Sequence, residues 1–128
     1  PMNFLDFNGM VSKDTDSVDL GGVHMSIPKM RQGANGDLTF GIRLEHIRFD
    51  DSAGYHGRVI ATEYLGTTQI VVLGTPNGVI KARIAASVNV IIGETIGLAF
   101  HPRTVSLFDA KSGNALLSEA NEGVLGRG

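Results

Sequence analysis

The sequence has no cysteine and no tryptophan. Without cysteine there is neither a disulfide framework nor a thiolate metal site, a composition expected in a reducing cytoplasm. Nor is there an excess of positive charge. Eleven Lys and Arg stand against 13 Asp and Glu, for a net charge of −2 and a pI near 6.1. That removes the electrostatic footprint of a nucleic-acid partner. Aromatics make up only 6% of the chain, too few for the stacking platforms of a single-strand binder. No apolar run approaches the ~18 residues of a membrane span. The start has no charged segment leading into an apolar one, so no secretion signal is expected.

What is present is β-forming. Hydrophobic residues reach 42% of 128, enough for a core, and 17 glycines fall between the apolar runs, where an all-β chain turns. The most regular stretch runs from Gly57 to Phe108. Val59, Ala61, Glu63 and Leu65 alternate with Ile60, Thr62 and Tyr64, which puts Glu63 on the face of Val59 at a barrel rim. Gly66 interrupts, and Thr68 to Leu73 resumes the pattern. Thr75-Pro76-Asn77-Gly78 turns the chain, because Pro presets φ and Asn-Gly tolerates positive φ. Val79 to Ile84 returns, Thr95 to Phe100 alternates again, and Val105 to Phe108 closes the set.

The N-terminal part supplies additional strands. Asn3 to Val11 reads as a strand with Leu5 and Phe7 on one face and Phe4, Asp6 and Asn8 on the other. Val18 to Ile27 is a second extended region bent at Gly21-Gly22. Pro28 to Gly36 reads as a loop ending in the turn signal Asn35-Gly36-Asp37. Leu38 to Arg43 is a third strand, Leu44 to Ile47 a short helical turn, and Arg48 to Tyr55 a polar connector. For Ala85 to Ile92 the β-branched Val88, Val90 and Ile92 favour strand. The polar, glycine-rich stretch from Glu119 is expected to fray. The expected fold is all-β, an OB-fold-like barrel with added N-terminal strands and little helix. The expected organisation is one unit over 1–128, with accessory strands in 1–50, main barrel strands in 54–109 and a tail in 114–128.

Catalytic signatures are missing from the sequence. There is no P-loop, dinucleotide fingerprint, His-Glu-x-x-His helix or Gly-x-Ser-x-Gly elbow. His24, His46, His56 and His101 are scattered, and neighbouring Asp50-Asp51 point apart on a loop or strand. Neither a metal nor a catalytic dyad is expected.

Three patterns in order carry a resemblance that covers nearly the whole chain. Pro1-Met2-Asn3-Phe4-Leu5 resembles the junction between the nucleotide-binding and C-terminal domains of a bacterial ABC-importer ATPase. Phe40-Gly41-Ile42-Arg43-Leu44-Glu45-His46-Ile47 resembles that domain's Gly-Ile-Arg-Pro-Glu-His motif, with Leu44 where the family has Pro. Glu63-Tyr64-Leu65-Gly66, Gly93 to Phe100 and Val105 to Asp109 resemble the transport-associated OB-fold, TOBE. The similarity points to the sugar and glycerol-phosphate importers.

The resemblance implies a regulatory, dimer-stabilising domain excised from an ATPase whose Walker motifs lie before Pro1. The chain itself would then hold no cofactor, while ATP and Mg would belong to the parent. Implied partners are a second copy of the subunit, the parent's nucleotide-binding domain, the importer membrane subunits and a regulatory protein. The implied location is cytoplasmic, peripheral at the inner face of the plasma membrane. A different reading is a stand-alone oxyanion or small-ligand module resembling a molbindin.

Three groups of residues are candidates for contact. Arg43, Glu45 and His46 gather at a strand end, for a partner contact or for an internal salt bridge fixing the corner. Thr67, Thr68 and Gln69 follow Gly66, where hydroxyls and an amide could hold an oxyanion or simply build the turn. Lys81 and Arg83 share a strand face, for an acidic partner or for solvent. Phe4, Phe7, Phe40, Phe100 and Phe108 are expected in the core, and Tyr64 under a loop.

Overall fold

The computed structural model describes residues 1–125. Ten strands run in the order β1 (Met2–Val11), β2 (Ser17–Leu20), β3 (Val23–Ser26), β4 (Ala34–Arg43), β5 (Ile47–Phe49), β6 (His56–Leu65), β7 (Thr68–Thr75), β8 (Gly78–Ala85), β9 (Thr95–Phe100) and β10 (Ser106–Asp109). Short 3-10 turns occupy Leu44–His46 and Pro102–Thr104, and a single helical turn, α1, spans Glu122–Leu125. The all-β, OB-fold-like architecture expected from the sequence is present.

Five strands form the main sheet in the order β5-β9-β6-β7-β8. A second sheet, β1-β4-β10, and the β2-β3 hairpin complete the molecule. All pairings between these strands are antiparallel. Pairing does not follow the order of the chain. β5, from the N-terminal part, joins β9 of the barrel, while β10, read as the closing barrel strand, pairs with β4. The two parts are therefore interlocked by hydrogen bonds and share one core. Leu5, Phe40 and Leu107 from one sheet meet Val59, Val71, Leu73, Ile80 and Leu98 from the other, all almost fully buried. Each such side chain contributes roughly 1.5–3 kcal/mol by leaving water.

Several local expectations change. Asn35-Gly36 does not turn the chain but lies inside β4, opposite Met10 and Gly9, with Gly36 at φ +99°. Partnering with β1 outweighs the local turn preference, and glycine makes the positive φ affordable. Gly21-Gly22, both at positive φ, form the two-residue turn of the β2-β3 hairpin.

Residues 86–94 are not strand. Ala86 donates its N–H to the Thr67 carbonyl and Gly93 donates to Val59, which folds this β-branched segment into an irregular loop. Val88, Ile91 and Ile92 are exposed there.

The segment from Glu119 is tied down as far as it is described. Glu119 N–H donates to the Lys29 carbonyl, Asn121 Nδ2 to the Leu116 carbonyl, and Arg31 bonds Glu122 at 3.0 Å. Residues 126–128 of the expected tail lie outside the described residues.

Aromatic placement also differs from expectation. Phe40 and Phe100 are core, but Phe4 is half exposed and meets Phe108 edge-on at 5.7 Å on the outer face of β1-β4-β10. Strict alternation with buried Leu5 forces Phe4 outward. Tyr64 is 60% exposed near the β6-β7 turn, and Tyr55, read as part of a polar connector, is the buried tyrosine.

Candidate functional site

A bulge in β6 sets the site's geometry. Val59 pairs with Leu73, yet Ala61 pairs with Val72, so Ile60 is the extra residue. The side-chain phase flips there. Val59 and Thr62 face the core while Ala61 and Glu63 face outward. Glu63 therefore lies opposite Val59's face, contrary to simple alternation, because a bulge shifts the period-two pattern by one residue.

Outward-facing residues then form cross-strand rows. Glu63, Ile70 and Arg83 make one row across β6, β7 and β8, and Ala61, Val72 and Lys81 make the next. The start of β1 crosses beside these rows. Asn3 Nδ2 donates to the Lys81 carbonyl at 2.7 Å, and Lys81 N–H donates to Asn3 Oδ1 at 2.9 Å. A groove of 460 Å³ results, lined by Met2, Asn3, Leu44, Glu63, Leu65, Ile70, Val79, Lys81 and Arg83 among others. Ile70, only 9% exposed although it faces outward, is its floor, and Leu65 and Val79 stand exposed beside it. Among the described residues the ion pairs belong to Arg31 and Arg103, so Lys81, Arg83 and Glu63 carry their charges without an internal partner.

Of the predicted site residues, the structure brings Lys81 and Arg83 together on this groove. Thr67, Thr68 and Gln69 do not form one site. Thr67 is exposed in the turn, while Gln69 is fully buried on the inner face. Gln69 Nε2 donates to the Ala85 carbonyl at 3.2 Å and the Val88 carbonyl at 2.7 Å, and its buried Oε1 has no partner. Both amide donors hold the 85–88 corner, and what remains is an acceptor. An oxyanion needs donors, so this geometry disfavours anion binding at Gln69.

Arg43, Glu45 and His46 are all exposed at the Leu44–His46 turn, whose Leu44 is buried. No ion pair joins them among the described residues, which leaves the internal salt bridge without support. Arg43, preceding Leu44, still takes the extended backbone (φ −77°, ψ 152°) that a following proline would favour. The Glu45 carboxyl lies below its ordinary range, held there first by its own backbone N–H and then by the charges of His46 and Arg43.

Tyr55 and Asn77 serve the fold. Tyr55 hydroxyl bonds Thr75 and Asn77 at 3.0 and 2.8 Å, and burial raises its pKa. Asn77 in turn donates to the Asp6 carbonyl at 2.9 Å, tying the β7-β8 turn to β1. Among the described residues no three His, Cys, Asp or Glu side chains gather where they could hold a metal.

The groove's residues come from β1, the Leu44 turn and three barrel strands, a layout in which the corner Phe40–Ile47 leads into the barrel. A family model of the TOBE domain matches residues 40–108, more than half of the chain. The chain belongs to the TOBE domain family. The match begins within β4 and ends within β10, so it spans the whole five-stranded sheet and reaches into two strands of the other sheet. TOBE domains are non-catalytic and are associated with regulatory regions of ABC-transporter ATPases and with molybdate-binding proteins. No curated protein matches the chain. No helix among the described residues is long and apolar enough to cross a membrane.

Sequence reasoning missed Asn3 and Ile70 as groove residues. Ile70 carried no signal because its strand reads as core on both faces, and Asn3 lies 78 positions from the residue it binds.

Proposed function

We propose that this TOBE domain is the regulatory, dimer-stabilising part of an ABC-importer ATPase of the sugar or glycerol-phosphate type. The observation that supports the reading is the family match together with the exposed Arg43-Glu45-His46 corner, whose side chains form no ion pair among the described residues. In this reading 1–128 acts as one regulatory unit. The corner contacts a second copy of the subunit or the nucleotide-binding domain. ATP and Mg bind in that other domain, and the assembly sits at the cytoplasmic face of the membrane through the transporter's membrane subunits. A regulatory protein is a further partner. The alternative, a free-standing oxyanion module, is weakened by Gln69, whose donors are already committed.

The test is the natural protein that contains Pro1. A Walker A, a signature loop and a Walker B preceding Pro1, with ATP hydrolysis by that protein, support the reading. A polypeptide without them, or tight calorimetric binding of molybdate or tungstate by the domain, overturns it.

A further inference from the structure

We propose that the groove between the start of β1 and the outer face of β6, β7 and β8 docks an extended acidic segment of another protein, with aliphatic residues flanking its carboxylates. The inference rests on the groove alone and stands whether or not the parent is an importer ATPase.

Charge and spacing select the occupant. Lys81 and Arg83 stand two residues apart on one face of β8, both exposed and without an ion-pair partner among the described residues. Along a strand that interval is about 6.6–6.8 Å. Carboxylates at alternate positions of an extended segment repeat at the same distance, so two of them meet both cations at once. A lone anion lacks this repeat, and a helix presents it only between residues four apart, whereas the strand-like segment presents it at every second position.

Beside the two cations the groove offers aliphatic surface. Ile70 forms the floor, and Leu65 and Val79 offer exposed aliphatic surface. The 460 Å³ volume falls in the usual range of ligand sites. The two cations stand on a chain whose net charge is −2, so the local positive field contrasts with the whole and steers an acidic segment to this face.

Glu63 gives the site a direction. It shares the row of Ile70 and Arg83 but lies two strands from Arg83. Its carboxylate repels an acidic segment from the β6 side and keeps the segment's acids over β8. Asn3 fixes the neighbouring wall, since both of its amide atoms hold the Lys81 main chain and leave the lysine side chain free.

The probe is the peptide acetyl-Leu-Asp-Val-Asp-Leu-amide, titrated into the isotope-labelled chain and followed by amide chemical shifts. Saturable shifts at Leu65, Ile70, Lys81 and Arg83, weakened by salt, are expected. Reversing both charges (Lys81→Glu with Arg83→Glu) weakens binding by roughly tenfold and transfers preference to the matching peptide with Lys in place of Asp. Glu63→Gln tightens binding of the acidic peptide, a gain that a misfolded variant cannot mimic. The proposal is overturned if no saturable shifts occur, if the Lys peptide binds the unaltered chain equally well, or if inorganic phosphate or free aspartate produces the same shifts at the same concentration.

Discussion

Asn3 binds Lys81 through both main-chain groups of the lysine, accepting from its N–H and donating to its carbonyl. A side-chain amide thus does at one position what a neighbouring strand would do along its length. β8 is an edge of the five-stranded sheet, and this bond pair joins that edge to the start of β1. It also builds one wall of the groove. Structure and candidate site therefore share one residue pair.

Asn3→Ala removes both bonds and is expected to cost about 1–3 kcal/mol. Asn3→Asp should cost at least as much, because a carboxylate oxygen then faces the Lys81 carbonyl. Urea denaturation with an unchanged slope checks both. Wild-type stability in either variant would mean that water replaces the amide without loss.

Gln69 acts on the loop that follows β8. Gln69→Leu leaves the Ala85 and Val88 carbonyls without their amide donor. A loss of about 2 kcal/mol is expected, together with faster amide hydrogen exchange in residues 86–93. Exchange that stays at the native rate would show that the loop is held by its other bonds, those from Ala86 to Thr67 and from Gly93 to Val59.

Gly97 marks where β9 lies against the Asp50 carbonyl. A Cβ at that position would collide with this backbone oxygen. Backbone on both sides has little room to yield, and Asp50 N–H already bonds the Gly97 carbonyl at 2.9 Å. Gly97→Ala should cost about 3 kcal/mol by prising β5 from β9. Gly123→Ala, where nothing lies near the new methyl, serves as the control and should leave the melting temperature unchanged.

Acid should destabilise the fold through carboxylates held by neighbouring serines. Asp109 lies below its ordinary 3.8, chiefly through the Ser112 hydroxyl and then its N–H. Asp50 is lowered in the same way by Ser52. A lowered folded-state pKa means that stability is present above 3.8 and is lost as pH falls through the folded value. Melting temperature should therefore drop as pH falls below that value. Combining Ser52→Ala with Ser112→Ala should remove part of the drop, because their hydroxyls no longer favour the ionised form. An identical pH profile in the double variant would assign acid sensitivity elsewhere.

The sequence by itself determined the three consecutive barrel strands β6, β7 and β8 and little of how the sheet is assembled. Period-two alternation and the turns at Gly66 and Thr75-Pro76-Asn77-Gly78 define β6, β7 and β8 locally, since strand and turn preferences act over a few residues. The Phe40–Ile47 phrase and the later strands likewise disclosed the TOBE family. Tertiary structure decided what depends on partners far along the chain. Asn35-Gly36 became strand because β1 offers a continuous ladder, which a local turn signal cannot anticipate. Ile60 became a bulge because β7 sets the register, and that one-residue slip moved Glu63 to the groove. Gln69 became a buried brace instead of a ligand donor for the same reason, since strand phase determines whether an amide meets water or a carbonyl. Side-chain chemistry is written in the residues, but the face on which each appears is fixed only when the strands pair.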